Sequence, residues 1–172
     1  MYSPSRWAVV GVRNLSPYCI LPVRWTVFAA VGFLHVPLLW DHLLWFYPAF
    51  FSLDALAPIA LVAVGVDAHI AFLATSTALV GLYGLTYEAL GMSHHVRKVV
   101  ERIARLRGAK LTWAGYLAVV SSAIVLGALP TALVVRLLDL SFWKATAVYV
   151  VIASALAGAS AYGTEALMWL LR

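Results

Sequence analysis

Charge is what this sequence has least of. Among 172 residues only 11% are charged, 7 of them acids, while 64% are hydrophobic; soluble domains carry about 25% charged and roughly 45–50% apolar residues. A water-soluble globule has no core large enough to absorb that excess. Cysteine is almost missing too, and the lone Cys19 excludes an intrachain disulfide and a thiolate-rich zinc site. There is no Walker phosphate loop, nucleophile elbow, HExxH pair or paired-aspartate motif of phospholipid-synthesis enzymes. Enzyme activity is therefore not expected, and neither is a cofactor.

What is present is long uncharged sequence. Trp25 to Leu34, Ala55 to Val66, Ile70 to Leu85, Tyr116 to Val135 and Ala145 to Ala161 carry no charge, the signature of segments that cross or re-enter a bilayer at about 20 residues per crossing. The expectation is an all-α, multi-pass protein of the cell membrane. The basic residues gather in one connection, at Arg97, Lys98, Arg102, Arg105, Arg107 and Lys110. Between them Val96, Val99, Val100, Ile103 and Leu106 recur at helical spacing, which predicts an amphipathic helix on the membrane surface. Positive-inside bias puts this connection in the cytoplasm, with anionic headgroups and not nucleic acid as its partner.

The chain divides into an interfacial amino-terminal arm (1–24), a first membrane repeat (25–91), the basic connection (92–110) and a second membrane repeat (111–172). The first long segment runs from Trp25 to Tyr47 and stops before Pro48. Two stretches then echo one another. Pro58-Ile59-Ala60-Leu61-Val62 returns as Pro130-Thr131-Ala132-Leu133-Val134, and each proline is followed nine positions on by an acid, Asp67 or Asp139. Tyr87-Glu88-Ala89-Leu90 and Thr164-Glu165-Ala166-Leu167 close the long segments alike. Each half thus reads as a long segment, a Pro-led short helix that re-enters or is broken, a turn carrying Asp, and a long helix. An odd number of crossings per half makes the repeat inverted, the arrangement of many secondary transporters. An even number makes it parallel, and charge counting favours that alternative because it puts Arg6, Arg13 and Arg24 on the side of the basic connection. The inverted repeat is the preferred expectation.

An Asp at a membrane helix centre costs roughly 2.5–3.5 kcal/mol, so acids there usually have a task. Asp67 and Asp139, at the two turns taken to lie mid-membrane, are the leading candidates for binding an ion, a proton or a cationic solute; each also fits the simpler role of capping the following helix. Glu88 and Glu165 read either as side chains reaching for headgroups or as a symmetric relay. Arg136 is expected to pair with Asp139 at i+3 or to bind an anionic headgroup. Pro58 and Pro130 either free backbone groups at depth or simply start helices. His35 and His42 are seven residues apart, roughly 10 Å along a helix, too far to share one metal ion.

These residues resemble the small multidrug export family of prokaryotic membrane proteins and, more distantly, the DedA-like group of lipid transporters. The resemblance rests on Ala57-Pro58-Ile59-Ala60-Leu61 with Gly65-Val66-Asp67, then Gly115-Tyr116, Gly127-Ala128-Leu129-Pro130, Leu138-Asp139-Leu140-Ser141-Phe142-Trp143-Lys144-Ala145 and Ala157-Gly158, and covers roughly Asp54 to Gly163. The chain departs from the pattern where the family tends to carry a Glu before its first short helix, having Leu53-Asp54 instead, and in lacking a glycine-rich run at the second proline. What the resemblance implies is a two-hairpin inverted-repeat bundle that moves something amphipathic. Three functions are expected in order: a small transporter of a small or amphipathic solute, coupled to a cation or proton; a lipid scramblase or carrier; and a non-catalytic subunit or assembly factor of a larger membrane complex. Small residues Ser154 and Gly158 on the last helix also make a homodimer an expected partner arrangement.

Overall fold

A computed structural model of the chain describes residues 17–52, 54, 56–93, 96, 98 and 111–171. Most of the amino-terminal arm and most of the basic connection, with its amphipathic helix, lie outside the described residues. Among the described residues every regular element is helical. In chain order they are α1 (Pro17–Phe33), α2 (His35–Leu38), a 3-10 turn (Trp40–His42), α3 (Leu43–Ser52), α4 (Leu56–Ala63), α5 (Ala68–Met92), α6 (Leu111–Val125), α7 (Ala128–Leu137) and α8 (Phe142–Leu170). Two of these, α5 and α8, are long and apolar enough to cross a membrane, and the bent pair 23–38 and 40–51 makes a third if it counts as one span. Trp143 and Trp169 are exposed near the two ends of α8. Helix rise sets them roughly 39 Å apart, the separation of the two aromatic belts of a bilayer.

The first segment differs from its expected form. It turns through 81° between residues 38 and 40, whereas the expected break was at Pro48, which α3 carries inside it. Pro37 explains the earlier interruption: without an N–H it cannot donate to the carbonyl of Phe33, where α1 ends. Upstream of the bend α1 lies close on α5. Gly32 and Gly81 face each other so closely that a Cβ on Gly81 would land on the Gly32 backbone, and the Phe28 ring occupies the space a side chain at Gly84 would need. This is small-residue packing, which lets membrane helices approach through dispersion alone.

The long helices α5 and α8 run antiparallel. His69 meets Tyr162 near one end, Tyr83 stacks on Tyr149 in the middle with ring centroids 4.3 Å apart, and Tyr87 meets Phe142 near the other end. Each is preceded by a short helix with proline as its third residue, Pro58 in α4 and Pro130 in α7. First-turn N–H groups have no intrahelical acceptor, so these prolines start helices and break nothing.

Both short helices close in the same way. In α4 the N–H of Gly65 bonds the Val62 carbonyl and that of Val66 bonds Leu61, both at 3.0 Å; in α7 the N–H of Asp139 bonds Arg136 and that of Leu140 bonds Val135, both at 3.2 Å. This is the Schellman pattern, whose pivot residue takes the left-handed conformation. The pivots are Gly65 (φ 96) and Asp139 (φ 41). Because α7 is two residues longer than α4, the structural counterpart of Asp139 is Gly65, and that of Asp67 is Ser141, each preceding a long helix. The expected equivalence of Asp67 with Asp139 is therefore corrected: the two acids occupy different places in the two turns.

Candidate functional site

The half-length helices bring their amino termini together. A hairpin turn joins the end of α4 to the start of α5, and α7 ends where α8 starts, at the opposite end of the antiparallel pair. So α4 and α7 point away from each other. Their starts meet at Asp54, two residues before α4, whose Oδ2 accepts the N–H of Ala128 at 2.7 Å, the first residue of α7. Gly127 makes the approach possible: its φ of 81° is one only glycine adopts easily, and a Cβ there would overlap the Asp54 carboxylate. Beside it, Thr131 Oγ1 donates to the Gly127 carbonyl at 2.6 Å and lies 3.1 Å from Ser122 Oγ. An exposed N–H and a helix dipole of roughly half a charge both favour an anion at a helix start.

A second charged cluster forms where α5 ends. Glu88 is 2% exposed, and its Oε1 lies 3.0 Å from Nε of Arg24 on α1. The Arg24 guanidinium also covers the Phe142 ring at 4.8 Å. Arg136, from α7, donates through Nη1 to the Tyr87 hydroxyl at 3.2 Å, stands over that ring at 5.2 Å, and rests on Gly91. Arg24 pairs directly with the buried carboxylate, and Arg136 joins the cluster through Tyr87, one residue before Glu88. The expected pairing of Arg136 with Asp139 is corrected: among the described residues no ion pair joins them, because the side chain of Arg136 turns inward to α5 while Asp139 is exposed at the pivot of the turn.

At the other end of the pair, Asp67 is exposed and caps α5. Its Oδ1 accepts the N–H of His69 at 2.8 Å and that of Ile70 at 3.4 Å. His69 Nδ1 is 2.7 Å from the Tyr162 hydroxyl. Asp67 and the exposed Glu165 line one cleft of about 240 Å³ with Gly65, Met168 and Trp169. Neither turn acid sits at the centre of the bundle; each lies at one end of a long helix, and the two lie at opposite ends. Glu88 and Glu165 are also unlike one another, one a buried ion pair and the other exposed.

Sequence reasoning passed over Asp54 as a site residue, although it stands where the resembled family tends to carry a Glu. It did not connect Arg24 with Glu88, because 64 positions separate them and no periodicity links α1 to α5. Among the described residues, no three His, Cys, Asp or Glu side chains gather as a metal ion would require. Compared with known protein families, curated proteins and solved structures, the chain finds no match.

Proposed function

We propose that this chain is a small membrane transporter, an inverted repeat that moves a small or amphipathic solute and couples that movement to protons at Asp54. The observation that carries this reading is the carboxylate between the amino termini of two oppositely directed half-length helices. Broken helices meeting at the middle of an antiparallel frame are the usual way a membrane protein exposes backbone polar groups to a solute. The antiparallel course of α5 and α8, with one short helix before each, supports the inverted arrangement.

We take the proton as the coupling species because, among the described residues, no three His, Cys, Asp or Glu side chains gather with Asp54 to hold a metal ion; the two helix starts themselves favour the ionised carboxylate against either cation. The acids first expected to bind the coupled ion, Asp67 and Asp139, lie at the bundle ends, where they serve turn geometry and the approach of solute. Rocking one half against the other would open the centre to each side in turn.

A lipid scramblase or carrier is the second reading, and the Arg24–Arg136 cluster favours it: two guanidiniums with one carboxylate leave a net positive site suited to a phosphate headgroup. Proteoliposomes separate the two. Under an imposed pH gradient, the transporter reading predicts that a panel of amphipathic dyes includes one accumulated by wild type and not by Asp54→Asn. Flipping of a fluorescent lipid that ignores both the gradient and the substitution contradicts it and supports the scramblase.

A further inference from the structure

The peptide unit between Gly127 and Ala128 is held from both sides. Its N–H donates to Asp54 Oδ2 at 2.7 Å, and its carbonyl accepts the Thr131 hydroxyl at 2.6 Å. The Thr131 backbone N–H reaches the same carbonyl at 3.3 Å, the longer of the two contacts. A hydroxyl has one proton to give. The Gly127 carbonyl takes that of Thr131, so across the 3.1 Å contact with Ser122 the Ser122 hydroxyl is the donor. Ser122 fixes the same turn a second time, because its own carbonyl accepts the Gly127 N–H at 3.1 Å.

Threonine in an apolar helix commonly donates to the carbonyl four residues earlier. Thr77 does so to Leu73 and Thr164 to Ser160, at 2.9 and 2.7 Å. Those carbonyls belong to peptide units inside a helix, whose N–H groups serve the helical ladder. Thr131 differs. The unit it holds lies at the start of α7, where the N–H has no intrahelical acceptor and is given to a carboxylate instead. Thr131 and Ser122 are both buried, at 0% and 5% exposed, so bulk water cannot stand in for either hydroxyl.

We infer that Thr131 is a positioning residue that sets the proton affinity of Asp54 through the Gly127–Ala128 peptide, with Ser122 as the outer member of the chain. The inference rests on reading Asp54 as the proton carrier. The donors all point one way, from Ser122 to Thr131, from Thr131 to the Gly127 carbonyl, and from the Ala128 N–H to the carboxylate, so each bond polarises the next. A carbonyl that accepts a strong hydrogen bond draws electron density from its own amide nitrogen, and the N–H becomes a better donor to the ionised carboxylate. Without the Thr131 hydroxyl that donor weakens, the ionised form loses support, and Asp54 keeps its proton to higher pH. Among the described residues no ion pair answers the Asp54 carboxylate, and its titratable neighbour on α8 is Tyr149. The chain begins on α6, so a shift of α6 against α7 that parts Ser122 from Thr131 changes how tightly the centre holds its proton.

The test needs no solute. Infrared spectroscopy of the full chain reconstituted in lipid follows the carbonyl stretch of a protonated carboxyl, assigned to Asp54 by its loss in Asp54→Asn. In Thr131→Val the pH midpoint of that band is expected to rise by on the order of half a pH unit, about a threefold gain in proton affinity. Thr131→Ala should follow it, Ser122→Ala should move the midpoint the same way by less, and Thr131→Ser, which restores the hydroxyl, should return it to the wild-type value. Thr77→Val and Thr164→Val, which lose back-bonds of the ordinary kind, should titrate like wild type. A midpoint unchanged in both Thr131→Val and Thr131→Ala, or moved as far in Thr131→Ser, overturns the inference and leaves the proton carrier standing. An Asp54 band missing at every pH overturns both.

Discussion

The two ends of α5 hold acids of equal prominence in the sequence and opposite standing in the structure. Asp67 is exposed, fixed by backbone N–H groups at the first turn of its own helix. Glu88 is buried and answered by a guanidinium from another helix. The first needs nothing beyond local geometry. The second needs three helices in place, so the same chemical group reports capping at one end and assembly of the bundle at the other.

The largest expected effect is at the assembled end. Glu88→Gln leaves Arg24 half-buried with no counter-charge; breaking such a pair typically costs about 3 kcal/mol, and the Arg24 side chain, 24% exposed, recovers part of it from water. Thermal unfolding in detergent should show a clear loss of midpoint. Arg24→Met with Glu88→Met should recover most of it, and a double variant as unstable as the single one would remove the ion pair from the account.

Next come the two glycines of positive φ. Gly127→Ala combines a backbone angle unfavourable to side chains with a Cβ on the Asp54 carboxylate, and should destabilise by about 2–3 kcal/mol. Gly65→Ala meets no atom within 4 Å, so only the backbone term applies, about 1 kcal/mol. Equal losses in the two variants would mean that Asp54 does not press on Gly127.

The smallest effects divide the two turn acids. Asp139→Gly should stabilise by about 0.5–1 kcal/mol, since it frees a left-handed pivot from its side chain. Asp67→Gly removes a cap bond and should destabilise by a few tenths of a kcal/mol. Opposite signs in denaturant or thermal melts support the different registers of the two turns; a common sign would restore their equivalence.

Much of the architecture was legible because it depends on local signals. The uncharged runs marked α5 and α8, and proline marked the first turns of α4 and α7. The register of the second turn was not legible, because Asp139 fits a cap by residue type and becomes a pivot only when α7 extends two residues beyond the length of α4. Asp54 was overlooked for a related reason. Its partner, the Ala128 N–H, is 74 positions away and belongs to the backbone, which no side-chain pattern records. Arg136 at i+3 from Asp139 suggested a local pair, and the tertiary contact with Tyr87 prevailed.

The orientation of the two halves carries the whole account, and single-cysteine labelling tests it most directly. With Cys19→Ser as background, Asp67→Cys and Asp139→Cys are each exposed to a membrane-impermeant thiol reagent in vesicles of known orientation. Modification of the two positions from opposite sides is the predicted result. Modification of both from the same side would contradict the antiparallel halves and the central meeting of α4 and α7 built on them.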